Sequence, residues 1–314
     1  MKLIKGTQQK PAVVFIMGPT ASGKTQAAIH LAQHYDVDII NADAAQVYRQ
    51  MNIGTAKPDA SELAQAPHNL IDFVDPAVSY SAAQFRIDAL REIERSHIAG
   101  KTPVLVGGSM FYFKALEHGL SVLPGADEQV RERVLQHSKE VGWQQMHSIL
   151  AEIDPQIAMK INSNDPQRIQ RAFEIYEVTG KPPSQVFIEN RSAPMPFQAV
   201  KLVIAPYSRA VLHARIEQRF LNMLNMGLIE EVRQLRKRGD LSLQLPSMRT
   251  VGYRQVWQYL EGRISYDSMV EKATAATRQL AKRQLTWLRN QSGLVWFVGY
   301  NYLDLNSLDA YFAK

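Results

Sequence analysis

Short apolar runs recur in the first third of the chain, and each gives way to glycine or a polar residue. Three such runs cover residues 11–17, 37–40 and 103–107. Continuous apolar runs of this length are typical of buried strands in a parallel sheet. Helix-like segments lie between them, one of which is opened by Ser81, three residues before Gln84 as in a capping box. The alternation predicts an α/β fold, in which helices cover both faces of a parallel sheet.

The pattern changes near residue 124. From there to about residue 196 the strand-like runs disappear, and a polar, helical sequence is interrupted by proline and glycine. Strand character returns at residues 201–205, and residues 294–298 are expected to supply a last strand. We therefore predict a core formed by residues 1–123 and 199–314, and an inserted helical subdomain at residues 124–198.

Composition narrows the function classes. The chain has 46% hydrophobic and 21% charged residues, which is typical of a globular protein, and its lack of cysteine excludes disulfide scaffolds and a thiol nucleophile. The basic first ten residues precede an apolar run too short for a signal peptide. We expect a cytoplasmic protein with no membrane attachment.

Basic residues are concentrated in one region. Residues 201–291 contain 16 Lys and Arg against 7 Asp and Glu, whereas the rest of the chain contains 20 against 23. Such a region suits a polyanionic partner such as RNA, since Lys and Arg neutralise phosphates. Charge alone is equally compatible with a solvated basic surface.

A phosphate-binding loop follows the first predicted strand and precedes a predicted helix. It fits the pattern G-x-x-x-x-G-K-[ST] at every position, through Gly18, Pro19, Thr20, Ala21, Ser22, Gly23, Lys24 and Thr25. Backbone amides, the helix terminus and Lys24 attract negative charge, and Thr25 can bind Mg²⁺. The loop predicts a P-loop NTPase-like fold and a bound phosphate or diphosphate.

An acidic residue follows the second predicted strand. Ligands of open α/β sheets bind at the carboxyl ends of the strands, so Asp43 is expected near the phosphate loop. The alternative is a helix-capping or turn residue.

These features together resemble the bacterial tRNA dimethylallyltransferases, also called tRNA isopentenyltransferases. The resemblance covers nearly the whole chain: the phosphate loop, Asp43 with Gln46, and residues 54–58, 106–109, 164–171, 249–255 and 277–287. One departure is Ala44, where the family usually has serine, so that a hydroxyl is missing. Ser109 stands where the family more commonly has threonine, so this position keeps a hydroxyl group.

The resemblance implies transfer of a dimethylallyl group from dimethylallyl diphosphate to the exocyclic amino nitrogen of the adenosine 3′-adjacent to the anticodon. Lys24, Thr25 and Mg²⁺ would stabilise the departing pyrophosphate, and Asp43 would accept the proton of the amino group. Arg219 is implied near the diphosphate, with Arg215 one turn earlier as the alternative.

The resemblance also implies that the inserted subdomain at residues 124–198 contacts tRNA, and it implies a set of residues at the anticodon stem-loop. They are Asp43, Ala44, Ala45, Gln46, Ser109, Arg131, Gln167, Arg168, Arg171, Arg249, Gly252, Tyr253, Arg254, Arg278, Lys282, Arg283 and Gln284. On a helical wheel Arg278, Lys282 and Arg289 fall within about 40° of one another, opposite an apolar face. Tyr48, Phe111 and Tyr253 are either stacking surfaces for RNA bases or core residues.

Other functions remain open at this level. A small-molecule kinase or an adenylate isopentenyltransferase would use the same loop but needs no basic helix. An RNA-binding or nucleotide-switch protein without transfer chemistry would not need Asp43. His68 and His118 have no metal-binding neighbours in the sequence and are expected to be structural. We expect a monomer.

Overall fold

The apolar runs form the strands of one parallel sheet in the computed structural model, which describes residues 11–121, 123–125, 127–190, 192–299 and 305–312. The strands are β1 (Ala12–Met17), β2 (Val37–Asn41), β3 (His68–Asn69), β4 (Thr102–Gly107), β5 (Gln198–Pro206) and β6 (Leu294–Gly299). Their order is β3-β2-β4-β1-β5-β6, and every neighbouring pair is parallel. The predicted α/β fold is confirmed.

Helices connect these strands and build the rest of the molecule. The helices are α1 (Lys24–His34), α2 (Ala60–Gln65), α3 (Ala82–Ile98), α4 (Met110–His118), α5 (Glu128–Val141), α6 (Trp143–Ile153), α7 (Pro155–Ala158), α8 (Pro166–Thr179), α9 (Pro183–Glu189), α10 (Arg209–Asn225), α11 (Leu228–Lys237), α12 (Tyr253–Leu260), α13 (Tyr266–Arg289) and α14 (Leu305–Phe312). Among the described residues, none of these helices has the length and apolar character needed to cross a lipid bilayer.

Strand β1 shows why the strands are apolar throughout. All six of its residues are buried, between β4 on one side and β5 on the other. Phe15 packs with α3 and α4 on one face, while Ile16 packs with α1 and α14 on the other. Burying each such side chain contributes about 1.5–3 kcal/mol relative to exposure, so both faces favour large apolar residues.

Two local predictions were incomplete. Ser81 is the N-cap of α3 and its hydroxyl accepts from the Gln84 N–H at 3.1 Å, but the Gln84 amide donates to Asp88 instead of completing a capping box. Strand β3, two residues long, was not predicted. Periodicity needs a longer segment to give a signal.

The chain divides into two compact units. The first contains residues 1–117 and 195–314, and the second contains residues 118–194. The second unit therefore starts six residues earlier and ends four residues earlier than the predicted insertion at 124–198. It has its own apolar core, in which Val134, Met146 and Ile169 from α5, α6 and α8 meet.

A second apolar cluster in the first unit packs α10, α11, α12 and α13 together. Phe220, Val232, Trp257 and Met269 each come from a different one of these helices, and Met51 joins them from the segment after β2. This packing fixes α10 and α13 relative to the carboxyl ends of the strands, where the phosphate loop lies.

Candidate active site

The phosphate loop turns from the end of β1 into the first turn of α1. Gly23 is the N-cap of α1 and has a φ of 96°, a left-handed conformation that favours glycine because it has no Cβ. The first amides of a helix have no intrahelical acceptor and carry partial positive charge. The Ser22 hydroxyl is also buried, with no hydrogen-bond partner among the described residues. The loop thus offers several unsatisfied donors to an anion.

Lys24 lies at the centre of this loop. Its Nζ donates to the carbonyl oxygen of Pro19 at 2.7 Å. Burial lowers the pKa of Lys24 to about 8, while the Asp43 carboxylate raises it and the Arg219 guanidinium lowers it. The electrostatic influence of both residues indicates that two cations and one carboxylate share this small region.

Arg219 extends from α10 into the same region. Burial lowers its pKa from the ordinary value, and the Asp43 carboxylate raises it in part. Arg219 and Arg215 both line a cavity of about 750 Å³, together with the phosphate loop. The Arg219 guanidinium acts on the charge of Lys24, which supports Arg219 as a partner of the diphosphate.

Asp43 follows β2 at the carboxyl edge of the sheet, as expected, and lines the same cavity. One carboxylate oxygen, Oδ1, accepts from the Ala45 N–H at 3.0 Å, and no hydrogen bond to Oδ2 is made by a described residue. The Asn41 side chain accepts from the Asp43 N–H at 3.1 Å and donates to the Leu70 carbonyl at 2.9 Å. The acid is therefore held in place with one oxygen left to act on a ligand.

Two further side chains hold backbone segments near the cavity: Gln46 lines it, and Ser109 follows Gly108, which lines it. The Gln46 amide donates to the carbonyl oxygens of Thr55 at 3.3 Å and Ala56 at 3.0 Å. The Ser109 hydroxyl accepts from the Ala44 N–H at 2.8 Å. Both residues had been expected at the tRNA; here each joins two loops of the first unit.

Glu231 on α11 was not predicted. Its carboxylate accepts from the backbone N–H groups of Asn52 at 2.9 Å, Ile53 at 2.8 Å and Gly54 at 3.2 Å, and from the Tyr253 hydroxyl. Gly54 lines the cavity, so Glu231 fixes part of its wall. In the sequence Glu231 is one of several charged residues on an amphipathic helix, and nothing marks its distant partners.

Helix α13 carries cations along one side. Arg278, Lys282 and Arg289 line a groove of about 180 Å³ together with Arg209 and His213 of α10. Arg278 pairs with Glu217 at 2.8 Å, whereas neither Lys282 nor Arg289 pairs with a described carboxylate. The predicted basic stripe is present, and it continues onto a second helix.

Comparison with known proteins identifies the family. The family model for IPP transferase matches residues 46–291. The chain belongs to the IPP transferase family.

Solved structures agree with this assignment. A tRNA isopentenylpyrophosphate transferase from Bacillus halodurans is 34% identical, with 98% of this chain and 95% of that chain covered and a TM-score of 0.70. A tRNA delta(2)-isopentenylpyrophosphate transferase from Staphylococcus epidermidis is 32% identical, with coverage of 97% and 100% and a TM-score of 0.68. A eukaryotic dimethylallyltransferase acting on tRNA is 27% identical, with 95% of this chain and 75% of that chain covered and a TM-score of 0.77. The predicted family and enzyme class are confirmed.

The aromatic residues of this IPP transferase correct one prediction. Tyr253 is completely buried and Tyr48 is 3% exposed, so neither ring has a free face for an RNA base. Of the two alternatives for these rings, the core position is the one observed, since both belong to the apolar cluster around α10–α13. The tRNA contact predicted for Tyr253 therefore has no exposed ring on which to form. Phe111, which is 56% exposed, keeps a surface on which a base could stack.

The other residues expected at tRNA in the first unit differ in exposure. Arg249, Arg254, Lys282 and Arg283 are exposed, and Gly252 lines the cavity. Gln284 is only 7% exposed, and both ends of its amide are bound to backbone groups of the protein. Little of the Gln284 surface is therefore accessible to RNA.

In the second unit of this IPP transferase, two predicted RNA-binding arginines face a protein carboxylate. Arg131 and Arg171 each pair with Glu174 at 3.1 Å. Burial alone would raise the pKa of Glu174, but hydrogen bonds from Gln170 and these two arginines outweigh it and keep that pKa below its ordinary value. Arg168 and Gln167 remain exposed on α8. Their RNA contacts stay predictions.

The histidines do not form a metal site. Among the described residues, no group of three His, Asp or Glu side chains is arranged to hold a metal ion. His68 nevertheless lines the cavity; its Nδ1 lies 2.6 Å from the Ala66 carbonyl and burial lowers its pKa. A neutral ring that donates to this carbonyl fits both observations.

Proposed function

We propose that this IPP transferase moves a dimethylallyl group from dimethylallyl diphosphate to the exocyclic amino nitrogen of the adenosine 3′-adjacent to the anticodon in tRNA. Pyrophosphate is the second product. The observation that carries the proposal is the convergence of Lys24, Arg219 and Asp43 on one cavity beside the phosphate loop. Two cations suit a diphosphate leaving group, and one carboxylate suits removal of a proton.

The phosphate loop holds the donor diphosphate in this scheme. As the bond between the allylic carbon and the bridging oxygen breaks, its electron pair moves to pyrophosphate, and Lys24 and Arg219 neutralise the added charge. The loop amides and the start of α1 act in the same direction. These groups stabilise the transition state more than the intact donor, because the leaving oxygen gains charge only as the bond breaks.

Mg²⁺ is proposed to assist the diphosphate. Thr25 lines the cavity and would supply a hydroxyl ligand, with diphosphate oxygens and water completing the shell. No cage of protein carboxylates is needed, since Mg²⁺ at phosphate sites commonly has one or two protein ligands. When bound, the ion supplies further charge neutralisation to the leaving group.

An apolar strip of α10 can receive the five-carbon tail. Ile216, Phe220 and Met223 line the same cavity as Arg219, which lies on the same helix. The helix thus offers a charged group to one end of the donor and apolar surface to the other. Apolar contact also limits water near the allylic cation, for which water is a competing nucleophile.

Asp43 is proposed to accept the proton of the adenine amino group. The amino lone pair is conjugated with the ring, so the nitrogen is a poor nucleophile until its proton can be shared with an acceptor. Oδ2 of Asp43 is the oxygen left for this contact, because the Ala45 N–H holds Oδ1. The new carbon–nitrogen bond forms as the proton passes to the carboxylate.

The anticodon stem-loop is proposed to lie on the exposed cations. Arg249, Arg254, Lys282 and Arg283 in the first unit, and Gln167 with Arg168 in the second, are available for phosphate and base contacts. The target adenosine must leave the stack to reach the cavity, which costs a few kcal/mol and less for an unpaired base. Because one chain provides all these groups, we propose that a monomer acts in the cytoplasm, where tRNA is processed.

Transfer of label from dimethylallyl diphosphate tests this function against its rivals. The proposal predicts label in unmodified tRNA and none in AMP. Label in AMP alone would indicate an adenylate isopentenyltransferase. Tight tRNA binding with no transfer to any acceptor would indicate an RNA-binding protein without this chemistry.

A further inference from the structure

Gln284 joins two loops that are far apart in the sequence. Its Oε1 accepts from the backbone N–H of Thr20 in the phosphate loop at 3.0 Å, and its Nε2 donates to the carbonyl oxygen of Gly108 after β4 at 2.8 Å. The side chain is 7% exposed, so water is a poor substitute for either contact. Loss of the amide would leave two buried backbone groups unpaired.

The same side chain lies near the proposed catalytic acid. A Cβ at Gly108 would lie 2.6 Å from Gln284 Nε2 and 3.5 Å from Asp43 Oδ2. Only glycine at position 108, in the turn that follows β4, leaves room for the Gln284 amide at this distance. Gln284 therefore sits where the phosphate loop, the β4 turn and Asp43 approach one another.

Helix α13 presents different residues to its two sides. Thr277, Leu280 and Gln284 line the main cavity, whereas Arg278, Lys282 and Arg289 line the basic groove beside α10. Residues 280 and 284 are one turn apart, so they share a face, and Lys282 lies between them on the other side. If an anion bound in the groove shifts α13, Gln284 moves with the helix and so changes the position of Thr20 in the phosphate loop.

We propose that Gln284 is a positioning residue that sets the conformation of the phosphate loop and links tRNA binding at α13 to diphosphate binding. The inference rests on the proposed function, since it assumes a diphosphate on the loop and tRNA on the basic side of the helix. Both ends of the Gln284 amide are bound to backbone groups, so it acts through the loops that it joins. The linkage is reciprocal, so each substrate strengthens the binding of the other by the same factor.

Pyrophosphate binding, measured by calorimetry with and without an unmodified anticodon stem-loop, tests the proposal. Pyrophosphate cannot prenylate the RNA, so equilibrium constants are obtained. The wild type binds pyrophosphate about fivefold or more tightly when the RNA is present, the lower end of typical coupling. Gln284→Met weakens pyrophosphate binding roughly tenfold, the usual effect of one lost hydrogen bond, and reduces the coupling factor to near one.

Two other variants make the test specific. Gln234→Met changes an exposed glutamine of α11 that lines neither the cavity nor the basic groove, and it keeps wild-type pyrophosphate binding and coupling. Gln284→Asn keeps a neutral amide but is one methylene shorter and cannot reach both Thr20 and Gly108, so its losses are at most those of the methionine variant. It also serves as the test if Gln284→Met does not fold, as judged by circular dichroism.

The outcomes separate this inference from the proposed function. If the wild type binds no pyrophosphate, the proposed function fails. If the wild type binds pyrophosphate but the Gln284 variants match it in affinity and coupling, Gln284 is not a positioning residue. If those variants lose RNA affinity with pyrophosphate binding intact, Gln284 contacts RNA directly and the proposal is overturned.

Discussion

The proposed proton acceptor is defined by the two oxygens of one carboxylate. In Asp43 the Ala45 N–H occupies Oδ1, and the Asn41 side chain fixes the backbone, so Oδ2 has a defined position at the cavity. Asp43→Asn keeps the size of the side chain but removes its basicity. We expect turnover to fall by roughly 10²–10⁴, the usual contribution of general base catalysis, while both substrates still bind.

Single-turnover kinetics with saturating tRNA measure this effect. Asp38→Asn is the matched control, because Asp38 lies on β2, shortly before Asp43 in the sequence, and pairs with Lys101 at 2.8 Å. The control keeps the wild-type rate. Near-normal turnover of Asp43→Asn would remove the carboxylate from the chemical step.

Lys24 gives the site a dependence on pH. Its pKa of about 8, lowered by burial, means that the side chain is cationic below that pH and loses its charge above it. Pyrophosphate affinity should therefore fall as pH rises through 8, by about tenfold for each pH unit beyond it if only the cation binds.

Titration of pyrophosphate binding between pH 6.5 and about 9.5 checks this prediction, with the range chosen to span the Lys24 pKa. Pyrophosphate itself changes charge over this range, so Lys24→Met provides the reference. The ratio of wild-type to variant affinity is constant at low pH and declines above about pH 8. A ratio that did not change with pH would show that Lys24 stays charged or does not touch the anion.

At the scale of residues, sequence reasoning identified groups whose chemistry follows from a local motif. Lys24 and Asp43 stand at fixed distances from glycine or from the end of a strand, so their places could be predicted. Glu231 could not be predicted, and Gln284 was predicted at the tRNA and not between two loops, because their backbone partners are between 176 and 264 positions away in the sequence. Tyr253 was misassigned because an aromatic residue in a polar segment looks the same whether buried or exposed.

Among the elements, α11 is tied to the loop after β2 by a single carboxylate. Glu231→Ala would leave three backbone N–H groups and the Tyr253 hydroxyl without their acceptor. Hydrogen bonds to charged groups contribute about 1.5–3 kcal/mol each, but water can reach this partly exposed site. We expect the free energy of unfolding to fall by about 2–4 kcal/mol.

Denaturant unfolding measures the loss, and Glu230→Ala is the control. Glu230 is the preceding residue on α11, is exposed, and pairs with Arg233 within the helix. Its removal should change stability by no more than about 1 kcal/mol, as for surface ion pairs in general. Equal effects of the two substitutions would show that the loop is held by other contacts.

Helix α13 provides the second test at this scale. Replacing Arg278, Lys282 and Arg289 by Gln should weaken tRNA binding, by an amount that shrinks as salt rises, and leave pyrophosphate affinity intact in the absence of RNA. Each lost phosphate contact reduces the log–log salt slope by about 0.7–0.9, so three reduce it by roughly two to three. Glutamine is a good helix former, so the helix itself persists.

A second triple variant with the same loss of net charge tests whether the position of the three cations on α13 matters. Arg233, Lys237 and Arg263 lie outside the groove, and their replacement by Gln removes the same three charges. Filter binding at several salt concentrations gives both slopes. Equal slopes for the two variants would mean that the stripe is only a solvated basic surface.

For the whole molecule, the order of most elements was predictable because every strand except β3 contains an apolar run. The bounds of the second unit were less so. Residues 118–123 belong to it although their sequence gives no break, since the division follows three-dimensional contacts such as that of Ser192 N–H with the Leu120 carbonyl. The contribution of this unit to tRNA binding remains a prediction from Gln167 and Arg168.

Nucleoside analysis of tRNA after reaction tests the central claim most directly. Unmodified tRNA is incubated with the enzyme, Mg²⁺ and dimethylallyl diphosphate, and its fragments are sequenced by mass spectrometry. The expected product carries one dimethylallyl group, in place of one hydrogen, on the exocyclic nitrogen of the adenosine 3′-adjacent to the anticodon, and Asp43→Asn should form it far more slowly. A group at any other position, or no group in the RNA while the protein is folded and binds both substrates, would contradict this claim.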